Sequence, residues 1–208
     1  MNDCLVTGMT NVGKTCFVIN FAEYMGLKEL KFHLRQLAGY TSVRSYSPGE
    51  ARTELISADS NYTRQVQSIK LEVPAGKVIK QLEIIDSCGL SDGIHPDSEI
   101  RLAMAKTLRL IRNSNLIFHI IDLATLKLSN NRRSKEANKI LDPIDQMIME
   151  YASLEKDYVI LANKIDLKKA RTNLKVFQKY FAKHHIIPIS ALYQQGFQEV
   201  KKLVLNYA

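Results

Sequence analysis

The chain has 208 residues, of which 46% are hydrophobic, so it can bury the core of one domain and leaves no room for a second catalytic domain. It contains no apolar run long enough to cross a bilayer and begins with no signal-peptide pattern, so we expect a cytoplasmic protein without a transmembrane segment. The formal charge of +8 favours an anionic partner. Three cysteines without metal-ligand spacing indicate free thiols.

The first motif follows a short apolar run at residues 4–6 and leads into a helical pattern. It reads GMTNVGKT over residues 8–15, which is the spacing of a phosphate-binding P-loop. Its glycines let backbone N–H groups point at phosphates, while Lys14 can reach the outer phosphates and the Thr15 hydroxyl can ligate Mg²⁺. The predicted nucleotide contacts in this loop are Gly8, Asn11, Val12, Gly13, Lys14, Thr15 and Cys16.

The segment after the first helix, residues 27–65, is polar, rich in turn residues and long for a link between a helix and a strand. Lys28, Lys31 and Arg35 would share one face of a helix there, either as a partner contact or as a solvated face. Residues 69–73 then alternate between apolar and charged, and a turn leads into another strand. This pattern predicts a hairpin, and with it one antiparallel edge strand.

Asp86 ends an apolar run at residues 82–85 and therefore lies at the carboxyl end of a strand, where open α/β sheets bind their ligands. A carboxylate there can hold Mg²⁺ through a water, and the N–H of Gly89 can approach a γ-phosphate. An ordinary turn after a strand has the same Asp-x-x-Gly pattern, so the motif is weak by itself.

The next strand is predicted over residues 116–122, where His119 is interpreted as a core histidine. Helical spacing and helix-stop signals give the remaining elements. Helices are expected over residues 99–112, over 135–151 with a break at Pro143, over 173–183 and over 197–206.

The motif Asn-Lys-Ile-Asp follows another buried-strand run at residues 158–162. The carboxylate of Asp166 can accept hydrogen bonds from the N1–H and the exocyclic amine of guanine, a donor pair that adenine lacks. The stem of Lys164 can cover one face of the base, and Asn163 can join this loop to the P-loop. A further loop can offer an N–H to guanine O6, and its residues are Ser190, Ala191 and Leu192.

In this order the motifs resemble the Ras-like P-loop GTPase superfamily, and within it the bacterial Era, TrmE and Obg-type GTPases. The residues that carry the resemblance are 11–15, 86–93 and 188–191 followed by Gly196. The resemblance covers nearly the whole chain and implies a single G domain over residues 1–208. The implied fold is α/β, with a mostly parallel six-stranded sheet, one antiparallel edge strand and helices on both faces.

The resemblance also implies that the insert of residues 27–65 contains the first switch loop, whose threonine senses Mg²⁺ and the γ-phosphate. Thr63 is the first candidate because it stands shortly before the next strand, and Thr53 is the second. The implied metal ligands are Thr15, Asp86 and Thr63, and the implied catalytic residues are Lys14, Asn11 and Thr63.

Two positions depart from the superfamily pattern. Leu90 stands where Ras-like GTPases have the glutamine that orients the attacking water, which predicts slow hydrolysis. Era-like and TrmE-like enzymes share this substitution, and several recruit K⁺ through the P-loop asparagine, here Asn11. A loop-stabilising side-chain hydrogen bond is nearly as good an explanation for Asn11. Leu192 replaces a lysine that stacks on guanine in many relatives, which predicts looser binding and fast exchange.

Two functions remain open. In the first, the protein is a switch that binds GTP or GDP and hydrolyses GTP slowly with Mg²⁺, and either K⁺ or a partner accelerates the hydrolysis. In the second, it is a nearly inactive guanine-nucleotide-binding module that selects a protein partner by nucleotide state. The first candidate for the anionic partner is ribosomal RNA or a ribosome-assembly particle, as the resemblance to Era and Obg implies. The second candidate is an acidic protein or a membrane surface. Candidate basic patches are Arg132-Arg133 with Lys135, Lys168-Lys169 with Arg171, and Lys201-Lys202.

Overall fold

The computed structural model describes residues 2–35, 41–56, 66–75, 78–90, 98–126, 140–153 and 157–207. Strands and helices alternate through most of these residues. In chain order they are β1 (Asn2–Thr7), α1 (Lys14–Tyr24), β2 (Leu30–Arg35), β3 (Thr41–Tyr46), α2 (Pro48–Leu55), β4 (Gln67–Ala75), β5 (Val78–Asp86), α3 (Ser98–Asn113), β6 (Leu116–Asp122), α4 (Pro143–Ala152), β7 (Asp157–Asn163), α5 (Lys168–Tyr180), β8 (His185–Pro188) and α6 (Phe197–Tyr207).

The described strands form an eight-stranded sheet in the order β3-β2-β4-β5-β1-β6-β7-β8. Neighbouring strands from β5 to β8 in this order are parallel. The strands β4, β2 and β3 extend the sheet as an antiparallel edge. The predicted α/β fold and antiparallel edge are confirmed, with eight strands where the sequence predicts six.

The two extra strands come from the insert. Leu30 and Phe32 are buried with a spacing of two residues, which is the period of a strand. The predicted helical face of Lys28, Lys31 and Arg35 is therefore wrong, because Lys31 and Arg35 lie in β2, which pairs with β3.

Helix α2 also lies in the insert and was not predicted. It begins with a capping box, in which the Ser47 hydroxyl accepts from the backbone N–H of Glu50 and the Glu50 carboxylate accepts from the N–H of Ser47. Pro48 occupies the first turn, where a missing N–H costs nothing. The sequence Ser-Pro-Gly-Glu at residues 47–50 is the signal that could have identified this helix.

Helices pack on both faces of the sheet because alternate strand residues point to opposite sides. In β1, Cys4 and Val6 belong to the core beneath α1 and α6, while Leu5 belongs to the core beneath α4 and α5. Every residue of β6 is buried, as expected for a parallel strand covered on both faces.

The predicted helices α3 and α6 agree with the structure to within one residue at each end. Helix α5 begins at Lys168, five residues before the predicted start at residue 173. Helix α4 begins at Pro143, and the Asp142 carboxylate caps it by accepting from the N–H of Ile144 at 3.0 Å. Pro143 thus starts this helix instead of breaking a longer one; residues 135–139 of the predicted helix lie outside the described residues.

His119 is a core residue, as predicted, and is fully buried in β6. Its Nδ1 lies 2.6 Å from the Tyr158 hydroxyl and its Nε2 lies 2.9 Å from the Asp145 carboxylate. Elsewhere, a search of the described residues found no helix that is both long and apolar enough to span a membrane.

Candidate functional site

The predicted motifs converge at the carboxyl ends of β1, β5, β7 and β8. Hydrogen bonds connect the loops that follow these strands, joining Thr15 to Asp86, Asn163 to Val12, and Ala191 to Asn163. Adjacent parallel strands end at the same edge of the sheet, which is where such sheets bind ligands. The residues of four separate sequence motifs therefore form one site.

The P-loop wraps the start of α1. Gly13 is the residue before the first helical turn and has φ of 101°, a left-handed conformation that favours glycine. A Cβ added to it would lie 2.6 Å from Asn163 Nδ2, so the position also lacks space for a side chain. The free N–H groups and positive end of α1 face the loop, which suits an anion.

Lys14 is only 7% exposed, and its ammonium lies inside the P-loop. Its Nζ donates to the carbonyl of Met9 at 2.6 Å and to that of Gly8 at 3.3 Å. Burial lowers the pKa of Lys14, while the nearby carboxylate of Asp86 opposes this shift. A Cβ added to Gly89 would lie 3.0 Å from this Nζ, so the Gly89 backbone lies directly beside the lysine.

Asp86 is fully buried at the end of β5. Its Oδ2 accepts hydrogen bonds from Thr15 Oγ1 at 2.7 Å and from Gln67 Nε2 at 2.9 Å. Its Oδ1 is buried without a hydrogen-bond partner among the described residues. Burial raises the pKa of Asp86, and the hydrogen bonds from Gln67 and Thr15 and the charge of Lys14 oppose the rise.

This arrangement fits Mg²⁺, which prefers oxygen ligands and one or two carboxylates. The Thr15 hydroxyl lies against the Asp86 carboxylate, whose second oxygen lacks a partner, so a cation would satisfy that oxygen. Gln67 was missed from the sequence, although it stands opposite Asp86 in the antiparallel register of β4 and β5. Aligning the predicted hairpin from its turn would have placed the two together.

Asp86→Asn is expected to raise the unfolding temperature of the protein free of nucleotide and metal by a few degrees at neutral pH. The pKa of Asp86 is raised on folding, so the folded state holds the proton more tightly than the unfolded chain, and stability rises as the pH falls through the raised pKa toward the ordinary pKa of the unfolded chain. The asparagine carries no charge, so its advantage should vanish at acidic pH. Thermal unfolding at several pH values measures this, and a variant less stable than wild type at neutral pH would contradict it.

Asn163 connects the P-loop to the loop after β8. The side chain is 2% exposed; its Nδ2 donates to the Val12 carbonyl at 2.7 Å and its Oδ1 accepts from the Ala191 N–H at 2.9 Å. The predicted contact between Asn163 and the P-loop is present. The sequence predicts that the Ala191 N–H donates to guanine O6; in this structure it donates to Asn163 Oδ1.

Asp166 and Lys164 are both held by side-chain contacts. The Ser190 hydroxyl donates to Asp166 Oδ1 at 2.6 Å, which fixes the orientation of that carboxylate. Lys164, at φ of 68°, donates from Nζ to the Asn11 carbonyl at 3.3 Å and pairs with Asp122 Oδ2 at 2.6 Å. Asp122 was missed from the sequence, although it ends β6 as Asp86 ends β5.

A second set of missed residues joins the insert to this site. Asn20 donates from Nδ2 to the Ala191 carbonyl at 2.7 Å, and its Oδ1 accepts from Arg52 Nε at 2.8 Å. Arg52 also pairs with Glu23, which accepts from Gln194 Nε2 at 3.1 Å. Helix α2 is thus connected through α1 to the loop after β8.

Several predicted residues are placed without a test of their function. Thr53 lies in α2, where its hydroxyl donates to the Gly49 carbonyl at 3.2 Å, and Thr63 lies outside the described residues. Cys16 follows the P-loop, and burial raises the pKa of its thiol. Leu192 is 60% exposed in the loop after β8. The patch Arg132-Arg133 with Lys135 also lies outside the described residues.

The fold and the connected loops define a P-loop nucleotide-binding protein of the G-domain class. Residues 3–164 match the family model described as 50S ribosome-binding GTPase, so the chain belongs to this family. GTPase Obg from Bacillus velezensis is 28% identical over 153 residues, which cover 72% of this chain and 33% of that protein. GTPase Obg from Metamycoplasma arthritidis is 26% identical over 176 residues, which cover 76% of this chain and 37% of that protein. The chain thus spans about a third of the length of these curated relatives.

Solved structures show the same fold. Aquifex aeolicus Era bound to GDP·AlF₄⁻ superposes with a TM-score of 0.64 at 20% identity, covering 99% of this chain and 56% of that one. The G domain of the T. maritima FeoB iron transporter superposes with a TM-score of 0.56 at 16% identity, covering 100% of this chain and 98% of that one. The Era and Obg type expected from the sequence is confirmed.

Proposed function

We propose that residues 1–208 form one G domain that binds GTP and hydrolyses it with Mg²⁺ to GDP and phosphate, slowly on its own, as a molecular switch. The observation that carries this proposal is the cluster of buried Lys14, partly buried Thr15 and buried Asp86 at the P-loop, which Asn163 joins to Ala191 in the loop after β8. Membership in the 50S ribosome-binding GTPase family supports it.

The P-loop residues stabilise the phosphates. Lys14 neutralises charge that develops on the transferred phosphoryl group, and the N–H groups at the start of α1 add a fixed positive field. Thr15 and Asp86, with Thr63 from the switch loop, would hold Mg²⁺, which would neutralise charge on the phosphate oxygens. The N–H of Gly89 contacts the γ-phosphate. Loss of the γ-phosphate on hydrolysis therefore releases the segment that follows Gly89.

Asp166 selects guanine. Its carboxylate, oriented by Ser190, accepts from the N1–H and the exocyclic amine, while adenine would leave it without donors. Lys164 covers the base and holds the P-loop through the Asn11 carbonyl. The exposed Leu192 provides no cation or ring over the base, so exchange is fast.

Hydrolysis is slow because Leu90 is 2% exposed and packs into the core, where it cannot orient a water. We propose that K⁺ compensates by binding at Asn11, the exposed P-loop residue with φ of 58°. A monovalent cation there would add positive charge as the leaving group develops negative charge.

Single-turnover GTP hydrolysis with Mg²⁺ in KCl and in NaCl tests this mechanism. We expect a K⁺-specific increase of about tenfold or more, because a cation beside the phosphates lowers the barrier by at least about 1.4 kcal/mol. Asn11→Ala should abolish the difference between the salts while binding of labelled GDP remains. Equal rates in both salts would overturn K⁺ activation.

The buried Leu90 also favours the second candidate, a nearly inactive module that selects a partner by nucleotide state. Tight binding of GTP and GDP, with no turnover in either salt, would establish this candidate and exclude hydrolysis by the chain alone.

We further propose that the partner is ribosomal RNA or a ribosome-assembly particle, which would place the protein in the cytoplasm. The solved structures similar to this chain include Era in complex with MgGDPNP and nucleotides 1506–1542 of 16S ribosomal RNA. The net charge of +8 suits such a partner.

A further inference from the structure

One segment of the chain is basic and holds no acidic residue. Residues 167–198 contain six lysines and arginines and no aspartate or glutamate, which gives this segment a net charge of +6. Its basic residues lie on α5 and in the turn that follows: Lys168, Lys169, Arg171, Lys175, Lys179 and Lys183. These charges make α5 the most basic of the described helices, with five lysines and arginines and no acidic residue.

Four of these side chains form a stripe along α5. Lys168, Arg171, Lys175 and Lys179 are all exposed and fall within an arc of about 80° around the helix axis, over a length of about 16 Å. We call these four residues the α5 stripe. Phe177, on the opposite side of the helix, is fully buried in the core, so the stripe faces away from the domain.

The charges of the stripe are not neutralised within the described residues, where the ion pairs involve other side chains. Lys168, Arg171, Thr172 and Lys175 line an open depression of about 630 Å³. A row of unpaired cations beside a depression suits a chain of phosphates, whose contacts are mostly with lysine and arginine.

The surroundings of the stripe favour nucleic acid over a membrane or a protein. The large apolar residues of α5 pack into the core, and the exposed Leu167 lies just before the helix. A helix that inserts into a lipid surface needs an exposed apolar face, and a protein interface needs an apolar or aromatic centre. Interfaces with nucleic-acid backbones are instead polar and strongly positive.

The stripe is also connected to the guanine site. Arg171 Nη2 donates to the backbone carbonyl of Asp166 at 2.8 Å. The same guanidinium thus belongs to the stripe and supports the residue that selects guanine. A phosphate that draws Arg171 away would remove this support.

We infer that the α5 stripe is the surface on which the phosphate backbone of an RNA docks, and that docking is coupled to guanine-nucleotide binding through Arg171. This inference rests on the proposed function for the nature of the partner. By linkage, the RNA changes nucleotide affinity by the same factor as the nucleotide changes RNA affinity.

The docking surface is tested with a fluorescent RNA hairpin of about 20 base pairs, titrated over a range of KCl concentrations. Lys175→Gln/Lys179→Gln should weaken binding about 10- to 50-fold and reduce the salt slope by about 2, because two phosphate contacts are lost. Lys201→Gln/Lys202→Gln on α6 removes the same charge elsewhere and should have little effect. Equal losses in both variants, unchanged affinity in the α5 variant, or preferential binding to anionic phospholipid vesicles would overturn the surface.

The coupling is tested by the dissociation rate of labelled GDP. Saturating RNA should increase the dissociation rate of GDP from the wild type about fivefold, because it draws Arg171 away from Asp166. RNA should leave the rate of Arg171→Gln unchanged, because that variant already lacks the bond to Asp166. A wild-type rate that RNA does not change would overturn the coupling. Failure of the wild type to bind GDP at all would refute the proposed function. The RNA titration would still show whether the α5 stripe binds RNA.

Discussion

Asp166→Asn is expected to lower the affinity for GDP by about 100-fold or more, equivalent to about 3 kcal/mol, and to make xanthosine diphosphate the better ligand. The substitution keeps the shape of the side chain but replaces one carboxylate oxygen with an amide donor. That donor would face the amine of guanine, whereas xanthine presents a carbonyl at the same position. Competition against labelled GDP measures both affinities.

Asp157→Asn is the matched control because it changes an exposed carboxylate at the start of β7, whereas Asp166 lies in the loop after the end of that strand. This variant should still bind GDP more tightly than xanthosine diphosphate. Binding of GDP by Asp166→Asn at wild-type affinity would show that Asp166 does not contact the base. An affinity for ATP comparable to that for GDP in the wild type would refute guanine selection itself.

The parts of this molecule that the sequence predicts well are those encoded by contiguous residues. The P-loop at residues 8–15, Asp86 and Asn163 each stand at the end of an apolar strand, and the carboxyl ends of parallel strands lie together. Position along the chain therefore predicts position in space for these motifs. For the same reason the contact between Asn163 and the P-loop could be predicted before the structure.

The insert could not be predicted in the same way. Its strand β2 has only two fully buried apolar side chains, Leu30 and Phe32, and its partner β3 is largely exposed. Alternation over so few residues is weak, and the neighbouring Lys28, Lys31 and Arg35 fit a helical spacing equally well. Only pairing with β4 fixes the segment as a strand, and that pairing is a tertiary contact.

The missed site residues are separated from their partners in sequence. Arg52 contacts Asn20, 32 residues away, and Asn20 contacts Ala191, 171 residues away. No local pattern marks these polar side chains, because each is explained only by the group it meets in the fold. The result is an insert whose helix α2 is connected to the loop after β8, which the motifs alone do not indicate.

Asn163→Ala is expected to destabilise the protein free of nucleotide by about 2–5 kcal/mol and to lower its unfolding temperature by about 5–15 °C. The truncation leaves the Val12 carbonyl and the Ala191 N–H buried without their partner. Each such group costs about 1–3 kcal/mol. The same change removes the bonds that join the P-loop to the loop after β8, so GDP affinity should fall as well. Thermal unfolding and titration with labelled GDP measure the two effects.

Asn173→Ala distinguishes loss of stability from loss of the site. Asn173 is another buried asparagine, and its Nδ2 donates to the carbonyls of Leu123 and Leu126 at 2.8 and 3.1 Å; neither bond joins the P-loop to the loop after β8. This variant should also be destabilised by a few kcal/mol, because two buried acceptors lose their donor. At a temperature where both variants are folded, only Asn163→Ala should bind GDP more weakly. An equal loss of GDP affinity in both variants would mean that Asn163 acts through global stability and not by holding the two loops together.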